Sequence, residues 1–93
     1  MVLFVLLMAR LMSLNSMKFV DLVPGNVYIV EQQMVFEYNG RFCAVEPKTV
    51  FLFISFVPAP TNDTIKGEML ADKLFTLTLS QGNVSAFEFT EIK

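Results

Sequence analysis

Histidine and tryptophan are absent from this 93-residue chain, cysteine occurs once, and only 17% of the residues are charged. Each shortage closes a class of function. Imidazole is the commonest metal ligand and the side chain best placed to exchange protons near neutral pH, so zinc chemistry and histidine-based catalysis are not expected. Cys43, flanked by Phe42 and Ala44, has no histidine to activate it as a nucleophile and reads as a small core side chain. A lone cysteine also excludes an internal disulfide and is compatible with a reducing compartment. The acidic residues do not follow the spacing of an EF-hand loop. Glu31, Glu37, Glu46 and Glu88 read as solvated strand and turn positions. No metal, cofactor or catalytic residue is expected, and the chain reads as non-enzymatic.

Charge of one sign is scarce too. Nine acidic and seven basic residues give a net charge of −2 without blocks. No basic stripe exists to gather counterions from a phosphate backbone, so nucleic acid is not an expected partner.

Apolar residues are what the chain has in quantity, at 54% against a usual share of about 45–50%. A chain of this length makes one domain that buries somewhat over roughly 60% of its unfolded surface. With so little charge to cover the outside, some apolar surface is expected to meet another chain, a ligand or a membrane.

The excess is concentrated at the start, where twelve of the first fourteen residues are apolar and only Arg10 and Ser13 interrupt them. Val2 to Leu14 is too short for a membrane span, which needs about 20 apolar residues. It also lacks the positive flank and small-residue cleavage site of a secretory signal. The preferred reading is an apolar arm, helical or extended, that packs on its own domain or across an oligomer interface, with Phe4, Leu7 and Leu11 as contacts. Membrane contact through residues 2–14 is the less favoured alternative. A start at Met17 would instead leave a chain of ordinary composition. The expected organisation is thus an arm over residues 1–17 and a β-domain over residues 18–93.

Strand signals follow. Val27–Val30 comes after a Pro24-Gly25 turn and is rich in β-branched and aromatic residues. Asn39-Gly40 between Met34–Tyr38 and Arg41–Val45 is a type I′ hairpin signal, because that turn needs two residues at positive φ. The register then pairs Tyr38 with Arg41, Phe36 with Cys43 and Met34 with Val45. These last four side chains point inward, Glu37 lies opposite Phe42 on the outer face, and Tyr38 and Arg41 are left to stack at the tip. Thr49 to Val57 is apolar without alternation, so both faces of a central strand there are expected to be covered, Val50, Leu52, Ile54 and Phe56 on one side and Phe51, Phe53 and Val57 on the other. Pro58 to Asp72 reads as the longest irregular stretch. Leu74–Leu79 and Val84–Ile92 read as a second hairpin across Gln81–Asn83, with Phe75 opposite Phe89 and Leu77 opposite Phe87.

Five or six short strands joined by tight turns predict an all-β, mainly antiparallel fold, either a small barrel or a compact two-sheet sandwich. The segment Leu22-Val23-Pro24-Gly25-Asn26-Val27-Tyr28-Ile29-Val30 resembles the first strand of many SH3-like barrels. The peptide-binding SH3 subclass would imply a tryptophan-containing aromatic cluster, and this chain has only Tyr28 and Tyr38 beside its ten phenylalanines.

The expected function is a structural or interaction module that assembles with itself or a larger complex through the arm and an exposed strand face. The compact frame and the possible upstream start before Met17 resemble small virus or phage accessory proteins, an analogy that favours a cytoplasmic or virion-associated setting over secretion. The alternative is a small-ligand- or protein-binding barrel, inhibitor-like, that grips its target with the 39–40 tip and the 58–72 loop. Candidate contacts there are Tyr38, Arg41, Phe42, Asn62 and Asp63.

Overall fold

A computed structural model of the chain describes residues 16–92. These form one curled, half-barrel antiparallel sheet. Its strands are β1 (Ser16–Lys18), β2 (Val27–Val30), β3 (Met34–Tyr38), β4 (Arg41–Val45), β5 (Val50–Val57), β6 (Thr64–Leu70), β7 (Leu74–Ser80) and β8 (Glu88–Ile92). The spatial order is β1-β8-β2-β5-β6-β7-β3-β4. Two 3-10 turns, Phe19–Asp21 and Val84–Ala86, interrupt it. Among the described residues no helix is long and apolar enough to cross a membrane. Residues 1–15 of the arm expected over 1–17 lie outside them, and the expected boundary after Met17 falls within β1.

The first hairpin has the anticipated register, Met34↔Val45, Phe36↔Cys43 and Tyr38↔Arg41. Asn39 and Gly40 have φ of 52° and 77°, the positive values a type I′ loop needs. Met34, Phe36 and Val45 are buried, and Cys43 is half-buried.

Alternation in β2, β5 and β7 sends Tyr28, Val30, Phe51, Phe53, Phe75, Leu77 and Leu79 to the inner, concave face. Phe19 joins them from the first 3-10 turn, with its ring centroid 5.5–6.2 Å from those of Phe56, Phe89 and Phe53. Most of these contacts are tilted or edge-to-face, which favours the ring quadrupoles by about 0.5–1.5 kcal/mol per pair beyond simple burial. Gly67 lies beneath them. A Cβ there would stand 2.9 Å from the Phe19 ring and 3.0 Å from that of Phe53. Glycine is required at this point by close approach, not by its φ.

Four expectations are corrected. There are eight strands among the described residues, rather than five or six, and they form one half-barrel sheet rather than a two-sheet sandwich. The Pro58–Asp72 stretch is irregular only at its ends, because β6 runs through Thr64–Leu70. Gly67 looks like a breaker in the sequence, yet Ile65, Gly67 and Met69 pair with Leu79, Leu77 and Phe75. Third, β7 does not pair with β8. One of its edges is taken by β6 and the other by β3, and β8 instead lies between β1 and β2, with Phe89 opposite Met17 and Val30. Gln81–Asn83 leads into a 3-10 turn instead of closing a hairpin. Finally, a β-bulge between Phe53 and Ser55 shifts the phase of β5. Phe56 consequently packs on Phe53 with centroids 4.8 Å apart, on the side opposite to that expected.

Candidate functional site

The outer face of the same sheet carries an apolar row. Strand registers place Ile92 opposite Val27, Val27 opposite Leu52, Leu52 opposite Leu70, and Leu70 opposite Leu74. Directly opposed residues share a face, so one apolar side chain from each of β8, β2, β5, β6 and β7 lines up across the sheet. Ile29 and Val50, themselves paired, form part of the next row. Ile92, Leu70, Leu74 and Val50 are exposed by 42%, 42%, 49% and 48%. The cover expected on both faces of β5 included the arm or another subunit for the outer one, where among the described residues Val50 and Ile54 are exposed and Leu52 is half-buried.

A polar rim frames the row. On one side lie Thr90, paired with Ile29, and the Lys18–Glu88 ion pair at 3.1 Å. On the other, the outer face of β6 and β7 turns polar at Glu68–Thr76 and Lys66–Thr78. A contiguous apolar patch with a polar border is the usual form of a protein-docking surface.

The sequence-predicted contacts are dispersed. Tyr38 and Arg41 lie on the inner face of the β3–β4 hairpin, together with Cys43. The cation over the Tyr38 ring is Lys73, 5.1 Å from its centroid, rather than Arg41. With Asn39, these four side chains line a cavity of about 440 Å³. Phe42, exposed by 77%, is on the outer face, at the mouth of a cleft of about 340 Å³ that Val35, Thr78 and Phe87 also line. The cleft lies where β3 and β7, joined only at Glu37↔Thr76, diverge. Asn62 and Asp63 sit in the β5–β6 turn, where the Asp63 carbonyl accepts from the Gln81 N–H at 2.7 Å. That turn and the 39–40 tip are at opposite ends of β7, whose seven residues span about 20 Å. The two loops do not form one gripping site. Phe4, Leu7 and Leu11 lie outside the described residues.

Three of the four glutamates singled out in the sequence, Glu31, Glu46 and Glu88, are tied to structural partners. Lys48 donates to the Glu31 carboxylate and Thr90 Oγ1 donates to it at 2.8 Å. These bonds hold Glu31 below its ordinary value. Glu88 accepts from Lys18, and Glu46 accepts from Gln33. Among the described residues no group of three or more histidines, cysteines, aspartates or glutamates is placed to hold a metal ion. Comparison of the chain with protein families, with characterised proteins and with solved structures finds no match.

Sequence reasoning did not single out Leu70 and Leu74. They flank a tight connection in which the Ala71 N–H donates to the Lys73 carbonyl at 3.0 Å. The signal was the pair of apolar residues bracketing Ala-Asp-Lys. It was hidden by treating everything up to Asp72 as loop.

Proposed function

We propose that the protein is a non-enzymatic interaction module that self-assembles, its outer apolar row being covered by residues 2–14 of a second copy. The observation that carries this reading is the row itself: apolar side chains in direct register on adjacent strands, left exposed by a sheet whose aromatic core lies on the other face. Four inter-strand spacings make the row about 19 Å wide, and thirteen residues reach across it in helical or extended form. The attachment point suits the task. Ser16 pairs with Thr90, at the border of the same face, so the segment departs beside the row. Phe4, Leu7 and Leu11 are the contacts assigned to it.

Light scattering on the full chain, on a chain starting at Met17 and on the full-length Leu70→Lys variant tests this. The full chain should be an oligomer. Truncation should yield a monomer or an insoluble chain, and L70K, made at an exposed position, should yield a folded monomer. A full chain that is monomeric at every concentration, or an oligomer unchanged by L70K, overturns the proposal. A monomeric full chain that aggregates only when truncated would mean that the segment shields its own sheet.

A further inference from the structure

Strand β4 ends the sheet, and hairpin geometry decides which of its backbone groups are left open. In a two-residue loop the flanking pair exchanges hydrogen bonds, and every second pair does so thereafter. Arg41, Cys43 and Val45 therefore bond to β3 through Tyr38, Phe36 and Met34. Phe42 and Ala44, both exposed, aim their N–H and C=O away from the sheet. This edge is a template for one more strand.

The inner side of the same edge carries two cavities. One, of about 440 Å³, holds Arg41 and Lys73 with Tyr38, Asn39 and Cys43, and among the described residues no carboxylate lines it. The other, of about 300 Å³, is lined by Phe36, Ala44, Val45 and Phe75, with Glu46 and Asp72 at its border. Lys18 and Lys48 are neutralised by Glu88 and Glu31. Among the described residues neither Arg41 nor Lys73 has an ion-pair partner, and both converge on one cavity. The Tyr38 ring holds the Lys73 ammonium beside it.

We propose that an extended acidic peptide segment adds to β4 as a further strand. Its backbone bonds to Phe42 and Ala44, an Asp or Glu side chain enters the Arg41–Lys73 cavity, and an apolar side chain two to four residues away fills the second cavity. Alternate residues of a strand face the same side, so one segment reaches both cavities while its intervening side chain covers Phe42 on the outer face. Backbone pairing supplies affinity and the two cavities supply selectivity. Glu46 and Asp72 repel a second acid, so the recognised pattern is one acidic and one apolar side chain. This surface is separate from the outer row and does not depend on self-assembly.

Fluorescence anisotropy on the full chain tests it, with labelled nine-residue peptides of alternating valine and threonine in which one valine is replaced by Asp or by Asn. The Asp peptide should bind about tenfold more tightly than the Asn peptide at low salt. Arg41→Gln and Lys73→Gln should each remove most of that preference. Ala44→Pro deletes an edge N–H that the β3–β4 ladder does not use and should abolish binding of both peptides. In the unmodified chain, the amide resonances of Phe42 and Ala44 should shift on titration, a readout that survives if the proline variant fails to fold. Equal affinity for the two peptides, an unaffected Ala44→Pro variant, or silent Phe42 and Ala44 amides overturns the proposal. So does binding of free aspartate as tight as that of the peptide, which would make the cavity a small-anion site.

Discussion

The two faces of this sheet are built from the same kind of side chain and meet different fates. Inside, Phe51, Phe53 and Phe89 are at most 1% exposed; Phe19 joins Phe53 to Phe89, and Phe89 packs on Phe51. Outside, Leu70, Leu74 and Ile92 are exposed by 42–49% although they are as apolar and as well aligned. The inner aromatics are shielded because a segment with no strand of its own, the 3-10 turn at Phe19–Asp21, drops a ring over them. Among the described residues, nothing does the same for the outer row. Hydrophobicity therefore makes a residue available for burial, and topology decides whether the chain itself supplies the cover.

The inner face is the more sensitive to change. Phe19→Ala should cost about 3–5 kcal/mol, the loss of a fully buried aromatic plus the cavity it leaves, and urea unfolding would measure it. Gly67→Ala should cost about 1–3 kcal/mol, because the new methyl would overlap the Phe19 and Phe53 rings. If Gly67→Ala were neutral while Phe19→Ala stayed costly, Phe19 would be free to move aside, and the contrast between a locked inside and an open outside would weaken. The double variant sharpens the point. With Phe19 already removed, alanine at position 67 should be nearly harmless, a non-additivity expected of residues in contact.

How far the sequence revealed these faces depended on whether local chemistry or long-range pairing set them. The Asn39-Gly40 hairpin was fully legible, since two residues at positive φ and the alternation around them leave one register. The buried position of Phe36 is legible for the same reason, whereas Thr49 to Val57 is apolar without alternation and does not say which side of β5 holds the core. What failed was partner choice. Leu74–Leu79 alternates cleanly, yet alternation only says that a strand has one covered face and does not name its neighbours. A hairpin to β8 fits that alternation as well as the pairing with β6 does, and Gly67 disguises β6 because its need for space under Phe19 is visible only in three dimensions. The bulge at Ile54 has no sequence mark at all, which is why Phe56 was assigned to the wrong side. Of the candidate sites, Tyr38 and Arg41 were found individually from the tip composition. Their joining with Lys73, and the outer row, both depend on strand order.

The outer face should answer in a different experiment. Leu70→Lys is expected to change folding free energy, measured at high dilution, by less than about 1 kcal/mol, as for most surface substitutions. The midpoint temperature of the unaltered full chain should rise with protein concentration, because association stabilises the folded form by mass action. That of Leu70→Lys should not. A large loss of folding free energy in Leu70→Lys at high dilution would show the row to be an internal core position after all, and would erase the distinction between the faces.

The smallest effect belongs to the polar rim. Glu31 is held below its ordinary value of 4.5 by the Lys48 hydrogen bond first, then by the Thr90 hydroxyl, and these outweigh its partial desolvation. A carboxyl whose folded value is depressed adds stability that is present above its unfolded value and is lost as pH falls through the folded one. Acidification below about pH 4.5 should therefore reduce stability, and Glu31→Gln should flatten that part of the profile while leaving the region above it unchanged in slope. The Lys48 side chain is 72% exposed, so solvent screening keeps the contribution under about 1 kcal/mol. Chemical denaturation between pH 3 and 7 would show it. Unchanged steepness in Glu31→Gln would assign the acid sensitivity to other carboxylates and leave the rim of the outer face without an electrostatic role in folding.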